Sequence, residues 1–176
     1  MSYDLNLYLK ASPSLSREAF EKILAEFGLM GEMAPDFAPD LSATPLCAKI
    51  SGLIDGDERN YLAVVDCTLS VTEADRVFTL PAPRRRLFEK KTAAPTLVAP
   101  CGSYCLTFAC GMSSLELPFA LLIASALAGE DGLLYDATEG KLALGSDITL
   151  LAKEALDMLR STPEDRLYLH EFDEWI

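Results

Sequence analysis

Residues 103–136, "SYCLTFACGMSSLELPFALLIASALAGEDGLLYD", join two kinds of apolar pattern through short punctuation. "SYCLTFAC" alternates with a period of two, which predicts a strand. Ser113, followed three residues later by Glu116, has the capping-box spacing that opens a helix. The strongly apolar run "LELPFALLIASALA" continues that helix, and Pro118 falls near its first turn, where a missing N–H does little harm. "GEDG" stops the helix and "LLYD" resumes strand character. The unit is strand, helix, strand.

Working outward, "LLYD" is followed by the turn "ATEG" and the strand-like "KLAL". A helix over about 147–160 comes next, with Asp147 or Ser146 as its cap and Ile148, Leu151, Leu156 and Leu159 as buried candidates. Upstream, Tyr3, Leu5, Leu7 and Leu9 alternate with polar residues and Tyr8, predicting a first strand. The amphipathic helix "REAFEKILAEF" follows, with Ser16 as N-cap and Gly28 where a C-terminal cap belongs. Residues 29–45 carry Pro35, Pro39 and Pro45 and are expected to be a connector. "LCAKISGLI" and "YLAVVDCTLSV" around the turn "DGDERN" predict a hairpin, and "RVFTL" a short strand. Residues 81–95 are Pro-bounded and basic and predict a surface loop; residues 161–176 form an acidic tail that carries Trp175 and could dock on the domain.

These elements predict one α+β domain over residues 1–176, with a mostly antiparallel sheet, helices on one face, and β-α-β units near both ends. An α/β arrangement is the alternative, because the 103–136 crossover could join parallel strands.

Half of the 176 residues are apolar, enough for one well-filled core. No apolar stretch approaches a membrane span, and the first residues lack the basic start of a secretion signal, so the expectation is a cytoplasmic protein that does not bind membrane. Five cysteines, an odd number, fit reduced thiols better than a disulfide framework. The net charge is −12 and unevenly spread. Residues 1–80 hold 6 cations against 13 acids, residues 81–95 hold 5 against 1, and residues 96–176 hold 4 against 13. Such a field repels phosphate backbones, which excludes general nucleic-acid binding, and speeds encounter with a basic protein.

Three cysteines stand within "CGSYCLTFAC", residues 101–110. In an extended chain Cys101 and Cys105 share a face about 13 Å apart, and Cys110 faces the other way, so one metal ion cannot collect them. The single histidine, His170, offers no metal cluster. Gly-rich phosphate cradles, G-x-S-x-G and H-E-x-x-H are all missing, which favours a non-enzyme without metal or cofactor.

Binding residues are expected on three stretches. Asp36, Phe37 and Asp40 lie on the proline-stiffened "APDFAPDL". Glu171, Asp173, Glu174 and Trp175 combine charge with an aromatic anchor in the tail. Arg84, Arg85, Arg86, Lys90 and Lys91 form a basic island that could grip an acidic protein or a second copy of the chain.

The start "MSYDLNLYLK", with the alanine- and leucine-rich helix and "GEDGLLYDATEGK", resembles small bacterial proteins of polymorphic toxin and secretion-system loci, among which immunity proteins are prominent. The resemblance implies a cytoplasmic inhibitor that binds one toxin or effector, often by occluding its catalytic cleft. Two rival expectations stand beside it: an enzyme with a reactive cysteine near 101–110, and a structural homodimer joined through the basic island.

Overall fold

The computed structural model describes residues 3–71, 78–80, 96–98, 104–111 and 113–175. The hydrophobic alternation of the first segment produces β1 (Tyr3–Leu9), and Ser16 opens α1 (Arg17–Glu26) by accepting the Ala19 N–H at 3.0 Å. Gly28 closes α1 at φ 70°, a left-handed conformation that favours glycine. There the Gly28 and Leu29 amides reach back to the Ala25 and Leu24 carbonyls, a Schellman closure. Next come β2 (Met30–Met33), β3 (Leu46–Ser51), β4 (Asn60–Val71) and β7 (Tyr104–Cys110). A separate small ribbon pairs β5 (Phe78–Leu80) with β6 (Thr96–Val98). The chain continues through α2 (Glu116–Ala128), β8 (Leu133–Asp136), β9 (Lys141–Leu144) and α3 (Ser146–Ser161).

Seven strands form one antiparallel sheet in the order β2-β3-β4-β7-β1-β8-β9, so the fold is α+β. β1 lies between β7 and β8 and is antiparallel to both, which makes β7 and β8 parallel to each other without touching. The 103–136 unit is therefore a split crossover, and the parallel pairing held open as an alternative is replaced by β1 inserted between its strands.

Register sorts the residues of each strand between two faces. Leu5, Leu7, Leu106, Phe108, Ala63 and Val65 point toward the helices and belong to the main core. α2 is buried around nearly its whole circumference, as its apolar sequence demands, and Phe119 meets Phe20 of α1 edge-on with ring centroids 6.0 Å apart. Ala120, Ala124 and Ala128 keep α2 slim where it crosses the sheet. On the opposite face Tyr8, Cys105 and Leu133 form a smaller cluster.

Several expectations need correction. The connector 29–45 begins with a strand, because β2 pairs with β3 at the sheet edge before Pro35 and so needs no donor from a proline. α3 starts one residue earlier than predicted: Gly145 takes the cap position at φ 49°, while Ser146 and Asp147 lie inside the first turn. Only half of the capping box forms. Glu116 accepts the Ser113 N–H, but the Ser113 hydroxyl accepts from the Leu115 amide at 3.3 Å rather than from that of Glu116, and it donates to the Tyr168 carbonyl at 2.9 Å. Leu151 is half-buried, while Ile148, Leu156 and Leu159 are buried as expected.

Candidate partner-binding surfaces

Three surfaces carry the predicted residues or the open space of the fold. The first is the tail. Beyond α3 the chain makes a 3-10 turn (Glu164–Arg166), and Tyr168 bonds to both the amide and hydroxyl of Ser114 beside α2. It then runs along β4. β7 pairs with β4 only over Asp66–Val71, and the tail supplies partners lower on the strand. Leu62 N–H donates to the His170 carbonyl at 2.8 Å, and Phe172 N–H donates to Asn60 at 2.9 Å, around a bridge between Tyr61 and Glu171. Leu167 and Leu169 pack on the main core.

Arg59 holds this arrangement together. Its guanidinium donates to Glu171 and to Glu164, each at 2.6 Å, and to Asp57 at 2.8 Å, and it lies over the Tyr61 ring. Tyr61 hydroxyl donates to Asp57 at 2.7 Å. The Arg59 hydrogen bonds, then that of Tyr61, hold the Asp57 carboxyl well below its usual range. Burial first, then the Asp57 bond, pushes the Tyr61 phenol up to about 12. Of the tail residues expected to meet a partner, Glu171 is thus tied to Arg59, and Trp175 stacks near Phe172 and donates its indole N–H to Glu32 at 3.2 Å. Asp173 and Glu174 remain exposed. Sequence reasoning missed Arg59, whose turn "DGDERN" signals a hairpin and says nothing about a tail 112 residues away.

The second surface is the connector. Arg17 donates to the carbonyls of Met33, Ala34 and Pro35 and lies 5.8 Å from the centre of the Phe37 ring. Phe37 is half-buried against the core, Asp40 turns back on the amide and hydroxyl of Ser42, and Asp36 is exposed. Trp175 meets Glu32 one residue before Met33, so the tail ends at the root of this connector. The basic island Arg84, Arg85, Arg86, Lys90 and Lys91 lies outside the described residues, as does Cys101.

The third surface was not anticipated. A hollow of about 410 Å³ opens between α2, α3 and the β8–β9 hairpin, with the 3-10 turn closing one end. Leu5, Leu117, Leu121, Leu134 and Leu151 line its floor. Met158, 70 % exposed, stands on its wall, and Asp136, Glu139, Glu154, Lys141 and Arg166 mark the rim. Lys141 is ion-paired with Glu139 and lies in the field of Asp136 and Glu154. Four distant segments of sequence meet here, and no local pattern in any of them signals the space.

The thiols occupy the positions that alternation assigned: Cys110 faces the main core, and Cys105 joins Tyr8 on the other side of the sheet. Burial pushes the Cys67 and Cys110 thiols up to about 12, and raises Cys47 as well. Among the described residues, no group of three or more His, Cys, Asp or Glu side chains could hold a metal ion, and no helix is long and apolar enough to cross a membrane.

No family model, no curated protein and no solved structure matches the chain.

Proposed function

We propose that the protein is a non-enzymatic, cytoplasmic binding protein of the immunity type, which neutralises a basic protein toxin or effector by direct contact. The supporting observation is where its charges go. Of the nine Lys and Arg side chains among the described residues, seven are engaged within the molecule. Lys10, Lys49, Arg59, Lys141 and Lys153 pair with carboxylates. Arg17 donates to the Met33 and Ala34 carbonyls at the end of β2, and Arg160 to those of Phe27, just after α1, and Gly52. The acids outnumber these cations, and Asp36, Asp173 and Glu174 stand exposed. The outward field is negative, and it steers a basic surface into contact.

Two of the thiols support the same reading. Cys67 and Cys110 are protonated at neutral pH, so neither supplies the thiolate that a cysteine enzyme needs. Binding occludes the partner's cleft, with Asp36, Phe37, Asp40, Asp173 and Glu174 as contacts.

The test is to mix the purified chain with the product of the adjacent toxin-like gene. Co-elution, loss of toxic activity and an association rate that falls steeply with salt are the expected results. A partner that elutes separately and kills unimpeded removes the proposal.

A further inference from the structure

We propose that the hollow between α2, α3 and the β8–β9 hairpin is the seat for a basic amphipathic helix of the protein partner, whose apolar ridge enters the floor while its Lys or Arg residues meet the acidic rim. This rests on the binding role proposed above and adds to the connector and tail contacts, beside β2, a second seat at the β8–β9 edge of the sheet, together with the element that occupies it.

The shape and chemistry of the hollow lead to that occupant. Leu5, Leu117, Leu121, Leu134 and Leu151 offer an apolar floor between two helices, where an additional helix packs by inserting its side-chain ridge. Met158 is exposed beside it, and an unbranched thioether adapts to different ridge shapes. Charge selects the sign of the visitor. Asp136, Glu139 and Glu154 surround Lys141, which Glu139 already engages, and Arg166 is the other cation on the rim. Three carboxylates against two cations leave the rim acidic, as is the molecule at −12. An acidic helix meets repulsion from both; a basic helix is attracted by both.

The residues of the turn that closes the hollow reinforce the assignment. Thr162, Arg166 and Leu167 form its end wall, and Glu164 within that stretch is bonded to Arg59. The wall is therefore fastened before any partner arrives, which lowers the ordering cost of binding.

A synthetic amphipathic Leu/Lys peptide, added to the full chain, tests the proposal by NMR titration and calorimetry, with a Leu/Glu peptide of the same pattern and decanol as comparisons. The expected result is Leu/Lys binding with shifts confined to α2, α3 and β8–β9. Ala155→Arg, on the wall of the hollow, and Glu154→Lys, on its rim, each weaken it at least about tenfold. Leu150→Arg, on a different side of α3, does not. Thermal melts check that each variant folds, and Glu154→Lys carries the test if Ala155→Arg does not. Absent binding, shifts elsewhere on the acidic surface, equal weakening by Leu150→Arg, or equal binding of the Leu/Glu peptide overturns the proposal. So does uptake of decanol in preference to the peptide, which makes the hollow a small-ligand site, or a dimer dissolved by Ala155→Arg, which seats a second copy there. If the toxin-type partner binds Ala155→Arg and Glu154→Lys at full strength, the hollow is dismissed while the inhibitor reading stands. If the peptide occupies the hollow but no such partner binds, the reverse holds.

Discussion

Arg59 and Glu171, 112 residues apart in sequence, meet at 2.6 Å and bring the tail to β4. Both side chains are partly in solvent, so the pair contributes to the position of the tail more than to global stability. Arg59→Ala is expected to speed hydrogen exchange at the Leu62 and Phe172 amides by about tenfold, with little change in the melting temperature. Lys153→Ala, which removes the exposed pair with Asp157, leaves those amides as they were. Unchanged exchange in Arg59→Ala means that the tail is held by its other contacts, among them Leu167, Leu169 and the Tyr168 bonds to Ser113 and Ser114.

Acid acts on the same fastening. Asp57 is held below its ordinary value near 3.8 by Arg59 and then Tyr61, and Glu32 is lowered by Lys49. A carboxylate depressed in the folded state stabilises fully above its unfolded pKa, and that contribution is lost as pH falls through the folded value. The tail is therefore expected to stay docked down to about pH 4 and to loosen below it. Trp175 fluorescence reports the change through loss of the contact with Phe172 and Glu32. In Asp57→Asn the acid-dependent step shrinks; a step of the same size and midpoint assigns it to other groups.

The thiols give an alkaline counterpart. Cys67 and Cys110 rise from an ordinary value of 9.0 to about 12 through burial. Their contribution to stability is complete below pH 9.0 and is lost as pH climbs toward 12. At neutral pH iodoacetamide should label both at least about 100-fold more slowly than a free cysteine peptide, with peptide mapping assigning each site. Rapid labelling of Cys110 in a folded chain favours the cysteine-enzyme alternative.

Phe119 tests the core. Buried and edge-on to Phe20, it joins α1 to α2 over the sheet. Phe119→Ala should destabilise the fold by about 3–5 kcal/mol in urea unfolding, through lost transfer energy and a residual cavity. A loss below about 1 kcal/mol implies that the neighbours collapse into the space.

What was legible in the sequence follows from what is local. Alternation placed Leu5, Leu7, Leu106 and Phe108 on one face and Cys105 opposite Cys110, because strand geometry imposes that period on each segment separately. Ser16 and Gly28 marked α1 for the same reason: caps are written within a few residues. β2 was hidden because an edge strand takes its order from the backbone of its neighbour, and "MGEM" has no alternation to announce it. Ser113 has a capping sequence but is claimed by Tyr168, 55 residues away. The tail's acids and apolar residues are visible in the sequence and allow docking, but nothing in "HEFDE" identifies Arg59 as the group that takes up Glu171. The hollow is a property of packing between remote segments, which no window of sequence contains.

The place of β1 between β7 and β8 has a consequence for biosynthesis. As the ribosome releases the chain, β1 appears before both of its neighbours, which belong to residues 104–136. The nascent protein must therefore carry an unmatched apolar strand while residues 10–103 are made, and chaperones that shield such segments should associate with it until β8 has emerged.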